Sequence, residues 1–158
     1  MSPSDVPPAP PSIFTRAGLE GLRARIATLS PASKAVWGKM DVAQMLAHCR
    51  VPIRVALGEL KLPRSLFGKL VGWLARGGAL GPEPFARGLP TSAPFVVKDA
   101  RDFAQEREGL LEVLTLMSRA GPSGITKDPH PFFGKLTPAE WDTLQWKHVD
   151  HHLRQFGA

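Results

Sequence analysis

Apolar residues recur along this chain at three- and four-residue intervals in four main stretches, each bounded by residues that start or stop helices. Leu19, Leu22, Ile26 and Leu29 form the first stretch, which predicts a helix from about Thr15 that stops before Pro31. Val42, Met45, Leu46, Cys49 and Ile53 form the second, behind Asp41, which can cap a helix with Gln44 three residues on. Pro52 has no N–H to offer the carbonyl of His48, so this helix is expected to kink or end there. Phe103, Leu110, Leu111, Leu114 and Met117 predict a third core helix within Asp99 to Ala120, ended by Gly121 and Pro122. The last opens at Thr137, with Pro138 at its first position and Glu140 placed to close a capping box. At about 100° per residue, Trp141, Leu144, Gln145, His148, Val149, His152 and Phe156 share one wide face of that helix. Asp142, Lys147, Asp150 and Arg154 flank the face or point away from it.

Between the second and third helices the pattern changes. Leu66, Phe67, Leu70, Val71, Trp73 and Leu74 outline a short amphipathic helix, after which Gly and Pro dominate from Gly78 to Pro94. So long an excursion inside a compact domain often covers a functional cleft. The excursion from Leu66 to Pro94 is expected to pack on the other helices and border that cleft, with the Lys and Arg of its helical part facing solvent. Attachment to a membrane surface is the less favoured use of the same residues. Only Phe95, Val96 and Val97 make a β-like run. The expected fold is therefore all-α, with four main helices, an inserted short helix and a long Gly/Pro-rich loop. Residues 1–13, which begin MSPSDVPPAPPS, read as a disordered Pro-rich tail, and residues 14–158 as a single helical domain.

Composition narrows the function classes. At 158 residues with 43% hydrophobic content, the chain can bury one real core and has no room for a second. No apolar run is long enough to span a bilayer, and the start lacks the basic and apolar regions of a signal peptide, so a cytoplasmic location is expected. The single cysteine, Cys49, cannot form an intrachain disulfide and faces the apolar side of its helix, as packing rather than as a nucleophile. The formal charge is +6, and seven basic residues from Lys39 to Arg76 oppose only Asp41 and Glu59. No nucleic-acid motif accompanies them, and aromatic residues are not interleaved with them as a stacking platform requires, so nucleic acid is not the expected partner. The same field suits a small anionic substrate, and a homodimer is compatible with the chain.

The candidate chemistry lies in the histidines. His148 and His152 fall one turn apart on the inward face of the last helix, and a buried imidazole nitrogen without a partner costs about 1–3 kcal/mol. One metal ion would satisfy both rings. His48, on the second helix near Gln44 and Met45, is the strongest candidate for a third ligand. His151 sits at the edge of the face beside Lys147, as a surface residue or a neighbour of the ligands. His130 lies in the loop from Asp128 to Phe133, where turn formation and anchoring of Phe132 and Phe133 explain it; proton transfer is its alternative use. Trp37 is expected to be buried against the helices. Gln44, Met45, His130, His151 and Gln155 are the candidates to shape a pocket around the ion.

These residues together resemble a known superfamily. Trp37, Gly38, Lys39 and Met40 leading into V-A-Q-M-L-A-H, with H-x-x-H-H-x-x-Q near the end, are similar to the DinB/YfiT-like metal-binding four-helix bundles. The stretch HPFFGKLTPAEW from His130 to Trp141, followed by KHVDHHLRQF, resembles one uncharacterised branch. The likeness extends from about Phe14 onward. It implies that His48 from the second helix and His148 and His152 from the last hold a divalent metal. The superfamily includes thiol-dependent transferases and isomerases, so the likeness implies a metal-dependent enzyme of transferase or hydrolase type acting on a small molecule, with a low-molecular-weight thiol as possible co-substrate. Zinc, nickel, iron and manganese all suit imidazole ligands. A non-catalytic metal-binding or interaction protein is the competing class. The hydrophobic insertion from Leu66 to Leu80 departs from the simplest superfamily pattern.

Overall fold

A computed structural model describes residues 11–158 of the chain. Among these it contains five α-helices and no β-strand: α1 (Arg16–Ala27), α2 (Val42–Ala56), α3 (Leu66–Leu80), α4 (Phe103–Ala120) and α5 (Pro138–Gln155). Residues 1–10 of the expected tail lie outside the described residues. Ile13, at its other end, is fully buried and donates its N–H to Asp142 Oδ1 at 2.8 Å.

Every helix begins with a side-chain cap. Thr15, Asp41, Ser65, Asp102 and Thr137 each accept the backbone N–H three residues on, and Gln44 and Glu140 complete capping boxes by accepting from the N–H of Asp41 and Thr137. Each such cap stabilises its helix by about 1 kcal/mol and, more usefully here, fixes its register. At the far end of α4, Gly121 takes a φ of 62°, which a side chain would strain. Of the two outcomes expected at Pro52, a kink or an end, α2 does not end there but runs on to Ala56. Burial of Ile53, Val55 and Ala56 beyond the proline offsets the one backbone bond that Pro52 cannot make.

The core is built between α1, α2, α4 and α5. Leu22 and Ile26, Met45, Leu46 and Ile53, Leu110, Leu114 and Met117, and Trp141, Val149 and Leu153 are its most enclosed members. α2 packs most extensively on α4, and α5 touches α1, α2 and α3. Because α5 is covered on several sides, Asp142, Lys147 and Asp150 are buried, not turned outward as the helical pattern suggested. Each has found a partner. Asp142 accepts from the Ile13 N–H, Asp150 pairs with Arg25 at 2.7 Å and Arg154 at 2.9 Å, and Lys147 Nζ donates to the carbonyls of Gly78, Ala79 and Gly81.

α3 reverses the expectation placed on it. Leu66, Phe67, Leu70, Trp73 and Leu74 are 77%, 66%, 73%, 70% and 63% exposed, so its large hydrophobes face outward. Gly68 and Gly72 occupy the inward positions instead. A Cβ at Gly72 would overlap the carbonyl oxygen of Phe132, and one at Gly68 would lie 2.7 Å from it. Only glycine lets α3 lie this close to the chain at Phe132. The β-like run at Phe95 to Val97 is also corrected. Ala93–Phe95 is a 3-10 turn, in which Pro94 has no N–H for a ladder, and among the described residues no strand lies opposite it.

Candidate metal centre

α2 and α5 pack side by side, and the two registers set by Asp41 and Thr137 bring His48 against His148 and His152. The three ring centroids form a nearly equilateral triangle, with sides of 4.8, 4.6 and 4.7 Å. One nitrogen from each ring lies within 4.8 Å of the others, and this group could hold a metal ion. His48 Nε2 and His148 Nε2 are 2.9 Å apart. Among the described residues no Asp, Glu or Cys joins the three.

Hydrogen bonds on the outer edges of the rings decide which nitrogens point inward bare. His48 Nδ1 lies 2.7 Å from the carbonyl oxygen of Phe95, which the 3-10 turn delivers. His152 Nδ1 lies 2.7 Å from Gln155 Oε1, and Gln155 Nε2 donates to the Trp37 carbonyl at 2.8 Å. That second bond fixes the amide with its oxygen toward the histidine. Carbonyl oxygens only accept, so both histidines carry their proton on Nδ1 and leave a lone pair on Nε2. This is the arrangement in which outer partners hold ligand rings in place. His148 is half-buried, and its Nδ1 is enclosed without a partner.

Burial keeps all three rings neutral. It lowers His48 below its ordinary value, against the Phe95 bond, which acts the other way. It brings His148 well below, with His152 and His48 adding repulsion, and it lowers His152 to about 3, with His48 the next cause. Neutral imidazole is the form that ligates a metal.

The remaining candidates divide. Gln155 orients His152, as just described. His151 is half-buried beside His152, with ring centroids 5.0 Å apart, and stands edge-on to Trp37 at 5.6 Å and near Phe85 at 5.9 Å. It is not one of the three grouped histidines. Gln44 is engaged elsewhere, its Oε1 accepting from Asp41 N–H and its Nε2 donating to the Asp99 carbonyl at 3.2 Å. Met45 is fully buried in the core, where Cys49 Sγ donates to its Sδ. Burial pushes the Cys49 thiol up, which leaves it inert packing. His130 Nδ1 accepts the N–H groups of Phe132 and Phe133 at 3.0 and 3.1 Å, and its ring packs on Trp141 and Phe133. It is a turn anchor. Trp37, expected to be buried, is half-buried, with the Arg87 guanidinium 4.1 Å above its ring.

Three contributors escaped the sequence: the Phe95 carbonyl, Phe85 and Arg87. All come from the irregular chain between α3 and α4, where no periodicity guides a reading, and a backbone carbonyl leaves no side-chain signature at all.

No curated protein and no solved structure matches the chain. Residues 14–158 match the family described as "Protein of unknown function (DUF1569)". That span contains all five helices and every histidine, so the chain belongs to the DUF1569 family.

Proposed function

We propose that His48, His148 and His152 hold a divalent transition metal in a DinB-like four-helix scaffold, and that the protein is a metal-dependent enzyme of thiol-dependent transferase or hydrolase type. The observation that carries this reading is the pair of outer bonds, Phe95 to His48 and Gln155 to His152, which leave Nε2 bare on both rings, that of His48 2.9 Å from His148 Nε2. The enclosed, unpartnered Nδ1 of His148 bears on the same point: the site tolerates a polar cost that ligation by the opposite nitrogen would offset. An ion held by three neutral imidazoles keeps positions free and supplies Lewis acidity toward a water or a thiol. Zinc, nickel, iron and manganese all fit the donor set. The chain's own residues hold the ligand rings and form a rim of His151, Trp37, Phe85 and Arg87, whose guanidinium suits a small anionic substrate.

Elemental analysis of untagged protein tests the ligand set. Wild type should carry a stoichiometric transition metal, each of His48→Ala, His148→Ala and His152→Ala should lose it, and His151→Ala should keep it. Gln155→Ala should weaken metal affinity about 10- to 100-fold by freeing the His152 ring. Undiminished metal in His152→Ala would refute the ligand set.

A non-catalytic metal-binding protein is favoured by one observation. The buried carboxylates Glu106, Asp142 and Asp150 are all engaged in structural pairs, so none stands ready as a general base. A screen of metal-loaded protein against thiol-transfer and ester substrates separates the two: metal retained without any turnover supports binding alone.

A further inference from the structure

We propose that α3 docks on the surface of an anionic phospholipid bilayer, lying in the interface with Leu66, Phe67, Leu70, Trp73 and Leu74 inserted among the lipids. At about 100° per residue these five side chains make one continuous arc of roughly 120°, wide enough for an interfacial helix. Scattered single hydrophobes on a surface need no explanation, but five large ones on one helix face do.

The outward direction of this face is built into the fold. Gly68 and Gly72 seat the helix against the Phe132 backbone, where there is no room even for a Cβ. Both ends are tied down. Ser65 donates its N–H to the Pro131 carbonyl at 3.0 Å, Arg76 pairs with Glu140 at 2.6 Å, and Lys147 closes the last carbonyls. Rolling α3 over to bury its hydrophobes would break these bonds and drive Leu or Trp into the Phe132 main chain. Nothing among the described residues can therefore bury this face.

Charge selects the occupant. α3 contains no acidic residue, Lys69 is exposed at the border of its apolar arc, and Lys61, which is exposed and pairs with Asp128 at 3.3 Å, precedes it in a chain of net charge +6. Anionic headgroups complement such a margin, each nearby Lys or Arg strengthening attachment about fivefold. The Trp73 indole suits the headgroup boundary, with an apolar body and a polar N–H. A second copy is less well matched, because a two-fold contact through this face presents Lys69 to a helix with no acid to receive it. Among the described residues no helix is long and apolar enough to cross the membrane, so α3 would lie on it.

This inference is independent of the metal. The test is flotation of the full chain with phosphatidylcholine/phosphatidylglycerol vesicles at physiological salt, beside pure phosphatidylcholine vesicles and sedimentation velocity without lipid. Anionic vesicles should carry the protein, with neutral ones at least about tenfold weaker. Leu70→Glu should lower the partition coefficient more than about tenfold and Lys69→Gln about fivefold, with circular dichroism unchanged because both positions face solvent. A vesicle-induced blue shift in emission should vanish in Trp73→Phe. Failure of wild type to float with anionic vesicles, or binding that ignores Leu70→Glu, overturns the proposal. A stable dimer dissolved by Leu70→Glu, without lipid binding, overturns it in favour of a second copy on this face.

Discussion

His130 is held neutral by packing. Its Nδ1 accepts two backbone N–H groups and its ring lies between Trp141 and Phe133, so burial, aided by Arg64, lowers it from an ordinary 6.5 to about 4. The unfolded chain then binds this proton more readily than the folded one. Stability from this site is complete above pH 6.5, falls as pH drops from 6.5 to about 4, and changes no further below. The loss is on the order of 3 kcal/mol. Urea unfolding of wild type and His130→Asn in chelator, across that range, should show it. Asn keeps an acceptor for Phe132 and Phe133 but cannot titrate, so the stability advantage of wild type should shrink with falling pH. A difference that is constant with pH would show that His130 protonates as freely folded as unfolded.

At the scale of elements, the seating of α3 depends on two contacts of opposite kinds. Gly72→Ala would gain up to about 1 kcal/mol of helix propensity, yet its Cβ would overlap the Phe132 carbonyl oxygen. Overlap with backbone is relieved only by moving α3, so the clash should win, with a net destabilisation of about 1–3 kcal/mol and faster proteolysis at the edges of α3. A raised melting temperature would mean the close approach is not real. Lys147→Met removes the ammonium that serves the carbonyls of Gly78, Ala79 and Gly81 and lies 4.8 Å from the Phe85 ring. It should cost about 1–3 kcal/mol and speed amide exchange from residue 78 to 95. Metal content should persist, since Lys147 touches none of the three histidines through these bonds.

For the whole molecule, the core formed by α1, α2, α4 and α5 contains enough enclosed side chains to stand without an ion. A metal should therefore add to stability instead of creating the fold. At a thousandfold excess over its Kd it contributes about 4 kcal/mol, which in a chain of this size raises the melting temperature by roughly 8–16 °C. Chelated protein should still melt cooperatively, and His48→Ala, His148→Ala and His152→Ala should melt at the same temperature with or without metal. Unfolding on chelation at room temperature would make the ion a structural centre of the zinc-finger kind.

What the sequence determined by itself was local. Helix starts at Thr15, Asp41 and Thr137, the stop at Gly121, the inward register of His148 and His152 and the place of His48 at the border of its apolar stripe follow from caps and periodicity, which act within a turn or two of each residue. The meeting of those three rings followed once α2 and α5 packed. Tertiary structure alone decided the rest. An amphipathic period shows that α3 has an apolar face but not whether a neighbour can receive it, and the Phe132 backbone leaves room only for glycine. Pro52 stays inside α2 because the residues beyond it are buried. Asp142, Lys147 and Asp150 are buried because distant partners, Ile13, the end of α3 and Arg25, satisfy them. The Phe95 carbonyl that orients His48 belongs to chain 47 residues away, and such long-range hydrogen bonds have no period to read.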